Sequence, residues 1–193
     1  MTEGRAAVFL DRDGVLNDLV LDPRLGVPES PYRPEDVSLV PGAAQAVRAL
    51  SNAGWPIVVV SNQPAAAKGT ASLADLAAVH ARVEALMTAA GARVDSWRYC
   101  RHHPDGVSPD LSRPCLCRKP RPGLLLAAAD ELGLDLTTSW MVGDTDTDIE
   151  AGVRAGCRTI VLRHPGSAHR RSGRARADAS ATDLSAVVSR LTR

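Results

Sequence analysis

Long hydrophobic runs are missing from this sequence of 193 residues. A membrane-spanning helix needs about 20 consecutive apolar residues, and no stretch of the chain approaches that length. The N-terminal residues Met1–Arg5 also lack the apolar core of a secretion signal. We therefore expect a cytoplasmic protein without a membrane partner.

Net charge and aromatic side chains are also scarce. The formal charge at pH 7 is +1, and the chain has three Trp, two Tyr and one Phe. Proteins that bind nucleic acids typically present a basic surface with aromatic side chains for stacking. We expect no nucleic acid partner, although Arg163–Arg193 is locally basic. Within it, the Ser-, Arg- and Ala-rich residues 164–182 predict a weakly ordered segment.

Cysteine and lysine are rare, which draws attention to each of them. The chain has four Cys, and its only lysines are Lys68 and Lys119. Disulfides seldom persist in the cytoplasm, so clustered cysteines there favour metal ligation. Cys157 approaches an apolar strand, which is typical of a core thiol.

Short apolar runs alternate with amphipathic helical patterns along the chain. A chain of this length accommodates one domain with a full core, so we expect residues 1–193 to form a single domain, and a monomer. Strands are predicted at Ala6–Leu10, Ile57–Val60, Ser96–Tyr99, Ser139–Val142 and Thr159–Leu162. Helices are predicted at Gly42–Asn52, Ser72–Ala90, Pro122–Leu132, Asp146–Ala155 and Asp183–Leu191. This alternation predicts an α/β fold with a doubly wound, mostly parallel sheet.

Two segments interrupt this alternation. Asp18–Val37 contains four prolines and predicts a semi-rigid surface loop. Arg101–Pro122 is also irregular and carries the residue types that bind metals. Long loops within a small domain are often functional, so we expect both segments to contribute to a site.

Polar side chains follow the predicted strands where each strand ends. Asp11 and Asp13 follow the first strand, Ser61 follows the second, and Asp144 follows the fourth. Parallel strands bring these ends to one edge of the sheet, where open α/β sheets bind ligands. Carboxylates with one hydroxyl and one lysine, Lys119, suit phosphoryl transfer, because Mg²⁺ prefers carboxylate and phosphate oxygens.

The spacing of Asp144, Asp146 and Asp148 also suggests the start of a calcium loop. That loop requires Gly at the position of Ile149 and Glu at the position of Ala155, which excludes it. Asp146 is more typical of a residue that starts a helix than of a metal ligand.

Together these residues resemble the four motifs of the haloacid dehalogenase (HAD) phosphatase superfamily. The motifs occur in the family's order as Asp11-x-Asp13-Gly14-Val15, Ser61, Lys119 and Gly143-Asp144-x-x-x-Asp148. The resemblance extends over about residues 6–162 and implies a Rossmann-like fold. It also implies that an aspartyl-phosphate forms on Asp11.

The same resemblance implies a role for each motif residue. Asp13 would act as the general acid and base. Asp11, the Asp13 backbone carbonyl and Asp144 would hold Mg²⁺, and Asp148 would orient the metal site. Ser61 and Lys119 would hold the phosphoryl oxygens. The implied substrate-binding residues are Asn62, Gln63, Arg118 and Lys119.

Cysteine and histidine form a second constellation. Cys100-x-His102 is followed by Cys115-x-Cys117, and three thiolates with one imidazole make a closed tetrahedral zinc site. Such a site has a structural role, because it leaves no open coordination position. From spacing alone, His103 is a rival to His102.

The residues around this second constellation narrow the resemblance. Tyr99-Cys100-x-His102-His103-Pro104 and Cys115-x-Cys117-Arg118-Lys119-Pro120 resemble the zinc-containing branch of the superfamily. That branch includes heptose-bisphosphate and histidinol-phosphate phosphatases, lacks a large cap domain and implies His102 as the ligand. It implies that segments 18–37 and 100–117, together with the segment after Ser61, wall the pocket for a small sugar phosphate.

Several features leave the identity of the substrate undecided. Thr145 stands where heptose-bisphosphate enzymes often have Lys, and Gln63–Gly69 departs from the branch's usual pattern. We expect hydrolysis of the 7-phosphate of D-glycero-D-manno-heptose 1,7-bisphosphate. Histidinol phosphate is the alternative, because Tyr32 with Glu29 or Glu35 could form an acidic and aromatic wall. A phosphotransferase and a non-catalytic zinc-loop binding module are further alternatives.

Overall fold

A six-stranded parallel sheet lies at the centre of the protein, in a computed structural model that describes residues 4–193. The spatial order of its strands is β5-β4-β1-β6-β7-β8. In chain order these strands are β1 (Val8–Leu10), β4 (Ile57–Asn62), β5 (Ser96–Cys100), β6 (Trp140–Gly143), β7 (Arg158–Leu162) and β8 (Ala179–Ala181). Strand order reverses around β1, which places a topological switch point at its C-terminal end.

Five helices cover the two faces of the sheet. They are α1 (Ala43–Asn52), α2 (Leu73–Ala89), α3 (Gly123–Leu132), α4 (Asp146–Ala155) and α5 (Leu184–Leu191). Val8 and Leu10 pack into a core with α1, α2 and α5, whereas Phe9 packs into a second core with α3. Successive side chains of a strand point to opposite faces, so burial on both faces explains the unbroken apolar run of β1. No helix in residues 4–193 is long and apolar enough to cross a bilayer.

The predicted α/β fold with a mostly parallel sheet is confirmed, and the predicted helices and strands agree to within about two residues at their ends. The predicted loop Asp18–Val37 differs, because it contains an antiparallel hairpin of β2 (Val20–Asp22) and β3 (Val27–Glu29). These strands have three residues each, which is too short for a clear alternation of apolar and polar positions.

Residues 164–182 are more regular than the prediction of weak order implies. A 3-10 helix occupies Pro165–Arg170, and β8 pairs in parallel with β7. The Asp178 carboxylate accepts hydrogen bonds from the backbone nitrogen and the hydroxyl of Thr159. Long-range contacts therefore order a segment whose polar composition is typical of a mobile one.

Candidate active site

The first carboxylate of the site, Asp11, lies at the end of β1 between β4 and β6. The chain then turns at Gly14, whose φ is +80° and whose nitrogen donates to the carbonyl of Asn17 at 2.8 Å. A Cβ atom at Gly14 would overlap the carboxylate of Asp144. Glycine is needed here both for its positive φ and for this close approach.

The ammonium group of Lys119 contacts three groups at the base of the site. Its buried ammonium group donates to Asp11 Oδ1 at 2.8 Å and to the Val60 carbonyl at 2.7 Å, and it lies 2.6 Å from Asp148 Oδ1. Burial lowers the pKa of Lys119, but the charges of Asp11 and Asp148 outweigh burial and raise the pKa above its ordinary value. Lys119 is therefore a permanent positive charge between two carboxylates.

Asn62 fixes the backbone of Lys119. Its side-chain nitrogen donates to the Lys119 carbonyl at 2.9 Å, and its side-chain oxygen accepts from the Lys119 nitrogen at 3.0 Å. Asn62 also lines the cleft above the site. Besides the predicted contact with substrate, it therefore has a positioning role that its place at the end of β4 did not reveal.

Asp13 is held by a dense set of donors. Its carboxylate accepts from Arg12, from Asn17 at 2.9 Å and from Gln63 at 2.6 Å. Burial raises the pKa of Asp13, but the Arg12 charge and these hydrogen bonds together hold the pKa below its ordinary value. Arg12 is 1% exposed and was not singled out in the sequence, although it stands between the two aspartates.

Gln63 lies behind the wall of the cleft. Its side chain is buried and donates to Asp13 at 2.6 Å and to Ser61 Oγ at 3.0 Å. Gln63 is not among the side chains that line the cleft, whereas Ser61 is. Gln63 therefore orients two residues of the site from behind.

Three carboxylates form a group that fits a divalent cation. One oxygen each of Asp11, Asp144 and Asp148 lies within 4.8 Å of the others. Asp144 Oδ1 is buried and accepts no hydrogen bond from residues 4–193. Burial, then the nearby Asp148 and Asp11 charges, raises the pKa of Asp144 well above its ordinary value. Oxygen donors with excess negative charge suit Mg²⁺.

The start of α4 sets the position of Asp148. Its Oδ2 accepts from the nitrogen of Thr145 at 3.0 Å and from the Thr145 hydroxyl at 2.6 Å, which forms a capping box. Its other oxygen faces Lys119. A Cβ atom at Gly143 would overlap Asp148, which explains the glycine at that position.

The C-terminal segment adds contacts that the sequence did not indicate. The Ser167 hydroxyl donates to Asp144 Oδ2, and Arg171 Nη1 donates to the Asp144 carbonyl at 3.0 Å. Both residues lie in the segment that was predicted to be weakly ordered. No local pattern identifies them, because the contacts span 23 and 27 positions of the chain.

A cleft of about 300 Å³ opens above these residues. Its walls come from β3, from the loops after β1 and β4, from the segment before α3 and from the C-terminal segment. They include Asp11, Asp13, Glu29, Ser30, Ser61, Asn62, Pro64, Lys68, Arg118, Lys119, Thr145, Thr147, Asp148 and Arg170. Most of these side chains are polar or charged, so the cleft suits a polar, charged ligand.

Cysteine and histidine side chains form a second group at the end of β5. Donor atoms of Cys100, His102, Cys115 and Cys117 lie within 4.8 Å of one another. The sulfur atoms are 3.3–3.5 Å apart, and all three cysteines are free of disulfides. His102 Nδ1 lies 3.5 Å from Cys117 Sγ. This arrangement fits a tetrahedral metal ion held by three thiolates and one imidazole.

The rival ligand His103 is directed elsewhere. Its Nδ1 accepts a hydrogen bond from the nitrogen of Asp105 at 3.1 Å, within a turn of the loop. The four donors of the cluster include His102 and not His103. The geometry thus favours His102, as the family resemblance implied.

Comparison with known proteins places this arrangement among phosphatases. The HAD-hydrolase-like family model matches residues 116–188. A D-glycero-D-manno-heptose-1,7-bisphosphate 7-phosphatase from Thermosynechococcus vestitus is 42% identical, over 82% of this chain and 79% of its own. The Yersinia pestis enzyme named D-glycero-beta-D-manno-heptose-1,7-bisphosphate 7-phosphatase is 34% identical, over 92% and 90% of the two chains.

A solved structure shows the same fold. The D,D-heptose 1,7-bisphosphate phosphatase of B. bronchiseptica, crystallised with magnesium and phosphate, superposes with a TM-score of 0.80. It is 30% identical to this chain, and the match covers 96% of this chain and 97% of that one.

Proposed function

This chain belongs to the HAD-like phosphatase family, and we propose that it hydrolyses the 7-phosphate of D-glycero-D-manno-heptose 1,7-bisphosphate. The observation that carries the proposal is the placement of Asp11 beside Lys119 and the Asp144 carboxylate, with Asp13 two positions further along. The names of the relatives support the choice of substrate.

We propose that Mg²⁺ binds between Asp11, Asp144 and the Asp13 backbone carbonyl. The unpartnered Asp144 oxygen and the crowding of carboxylates support this site. Mg²⁺ neutralises charge on a transferring phosphoryl group when it is bound. Asp148 holds Lys119 and the start of α4 in place next to this group.

Asp11 attacks phosphorus and forms an aspartyl-phosphate. Lys119 and Ser61 bind the non-bridging oxygens, on which negative charge accumulates. Asp13 gives a proton to the leaving sugar oxygen and then takes one from the water that hydrolyses the intermediate. Its hydrogen bonds with Arg12, Asn17 and Gln63 fix the position of the Asp13 carboxyl group for both proton transfers.

The cysteine and histidine cluster has a structural role in this proposal. Cys100 ends β5, and Cys117 directly precedes Arg118 and Lys119. Zinc held by the cluster would join the loop to the sheet and fix the segment that supplies both cationic side chains. Arg118 lines the cleft, where its guanidinium group suits a phosphate or a polyol.

Steady-state kinetics with three substrates tests the function. We expect kcat/KM for heptose 1,7-bisphosphate to exceed that for histidinol phosphate and for simple hexose phosphates, with Asp11→Asn as the inactive control. A preference for histidinol phosphate would overturn the proposed substrate and leave the chemistry intact. Failure to hydrolyse any phosphate ester in the presence of Mg²⁺ would overturn the phosphatase itself.

A further inference from the structure

The cleft contains more cationic side chains than the transferred phosphate requires. The charge of Lys119 is already matched by the carboxylates beneath it. Three further cationic side chains line the cleft, namely Lys68, Arg118 and Arg170. Within residues 4–193, only Arg170 forms an ion pair, and its partner is Glu29. Lys68 and Arg118 therefore remain available to an anionic group such as a second phosphate, whose charge at pH 7 is about −1.5 to −2.

Arg170 occupies a fixed position although it belongs to a polar segment. Before it, His164 Nε2 lies 3.1 Å from Asp18 Oδ1, at the start of the hairpin loop. After it, the nitrogen of Ser172 donates to Asp146 Oδ2 at 2.6 Å, at the start of α4. These contacts hold the segment across the cleft from both sides. Arg170 thus belongs to an ordered segment that forms one wall of the cleft.

Glu29 orients Arg170 and leaves several N–H donors of its guanidinium group available. One guanidinium nitrogen of Arg170 donates to Glu29 Oε2, and His169 Nε2 lies 3.9 Å from Glu29 Oε1. A guanidinium group has five N–H donors, so a single carboxylate leaves several of them for a ligand. The pairing also neutralises Glu29, which would otherwise attract a cationic substrate.

Lys68 is held on the neighbouring wall. The backbone nitrogen of Lys68 donates to the Pro64 carbonyl at 3.0 Å. The backbone nitrogen of Val107, in the cysteine-containing loop, donates to the Ala67 carbonyl at 2.7 Å. Lys68 also lines the adjoining cavity with Arg24 and Glu29. Lys68 and Glu29 thus border both the cleft and this adjoining cavity.

We propose that Arg170 and Lys68 bind the phosphate group that the enzyme does not hydrolyse, with Glu29 as the positioning residue of Arg170. This inference rests on the proposed function and adds to it a determinant of substrate class. The enzyme then selects sugar bisphosphates over monophosphates by charge. A cationic substrate such as histidinol phosphate is disfavoured, because the carboxylate of this wall, Glu29, is already paired with Arg170.

Substitution of Arg170 tests the proposal. Heptose 1,7-bisphosphate is compared with heptose 7-phosphate, which has the same scissile group without the second phosphate. We expect Arg170→Gln to lower the ratio of the two kcat/KM values by about tenfold to a hundredfold, because a charged hydrogen bond is lost. The loss should appear in KM and not in kcat. Arg174→Gln, an exposed arginine of the same segment outside the cleft, should keep the wild-type ratio.

A second measurement uses the product as a probe. Heptose 1-phosphate retains the phosphate that is not hydrolysed, so its inhibition constant should rise in Arg170→Gln and in Lys68→Gln. The inhibition constant of inorganic phosphate, which binds at Asp11, should change by less. Thermal unfolding shows whether each variant is folded.

Three outcomes would overturn the inference. They are an unchanged ratio in Arg170→Gln, an equal loss for both substrates, and a loss of the same size in Arg174→Gln. If the wild-type enzyme hydrolyses heptose 7-phosphate with no preference for the bisphosphate, the second-phosphate site is wrong and the phosphatase stands. If it hydrolyses neither compound, the proposed function itself fails.

Discussion

The ammonium group of Lys119 donates a hydrogen bond of 2.8 Å to the carboxylate of Asp11, a residue 108 positions earlier in the chain. Burial raises the pKa of Asp11 to about 6, whereas the charge of Lys119 lowers it. The charges of Asp148 and Asp13 raise the pKa further. Lys119 thus offsets part of the cost of placing several carboxylates in one buried site.

Asp11→Asn should abolish turnover while the protein remains folded. The amide has the shape of the carboxylate but cannot attack phosphorus, so we expect kcat to fall on the order of a thousandfold or more. Phosphate release measures the loss, and circular dichroism with zinc analysis provides the control. Turnover close to the wild-type value would contradict the role of Asp11 as the nucleophile.

Lys119→Met should reduce stability as well as activity. It leaves Asp11 and Asp148 without the cation between them, and loss of one partner of a buried ion pair costs roughly 3–5 kcal/mol. Urea unfolding in a buffer without Mg²⁺ and without a chelator, which would remove the zinc, measures this change. The double variant Lys119→Met with Asp148→Asn should lose less unfolding free energy than the sum of the two single variants, because the two residues interact directly. Full additivity would show that they are independent.

Gly14→Ala and Gly42→Ala form a matched pair. The two glycines have φ angles of +80° and +81°, so each alanine should destabilise the protein by about 1 kcal/mol. Only at Gly14 does a Cβ atom overlap Asp144, whereas nothing lies within 4 Å at Gly42. We expect Gly14→Ala to lower kcat/KM at least about tenfold more than Gly42→Ala. Equal activity of the two variants would contradict the close approach at Asp144.

Cys115→Ala should remove the metal from the cysteine cluster. Structural zinc sites contribute on the order of 10 kcal/mol of binding free energy, so loss of one ligand should lower stability by several kcal/mol. Elemental analysis should find about one zinc per wild-type chain and much less in the variant. Cys157→Ala, a buried cysteine outside the cluster, is the control and should retain the zinc. A Cys115→Ala protein of wild-type stability would refute the structural role.

His80 should make the protein less stable in acid. The Tyr99 hydroxyl forms a hydrogen bond with His80 Nδ1, and Glu84 Oε2 lies 3.5 Å from Nε2. Burial, then the Arg12 and Arg101 charges, lowers the pKa of His80 to about 4 from 6.5. Because the unfolded state binds the proton more readily, the contribution of His80 is complete above pH 6.5 and is lost as the pH falls towards 4.

The variant His80→Gln isolates this effect, because glutamine can still accept a hydrogen bond from Tyr99. Free energies of unfolding from urea titrations at pH 7.5 and pH 4.5 are compared for both proteins. We expect the wild type to lose more stability between the two values than the variant does. An equal loss would assign the acid sensitivity to other groups.

Strand ends were the most predictable part of the site. Asp11, Ser61 and Asp144 each follow an apolar run, and parallel strands bring such positions to one edge whatever the details of packing. Asn62 and Gln63 were harder to interpret, because the same polar side chain can face a ligand or brace its neighbours. The orientation of each one depends on the position of Lys119 or Asp13, which are distant in the chain.

The sequence by itself determined the α/β fold, the order of the motifs at the strand ends and the grouping of Cys100, Cys115 and Cys117 with a neighbouring histidine. These features are local, since they depend on periodicity and spacing. Only the tertiary structure decided that the Arg-rich segment crosses the cleft and pairs Arg170 with Glu29. Such contacts join residues 141 positions apart. Composition describes the solvation of a segment, whereas its partners depend on how the sheet and loops pack around it.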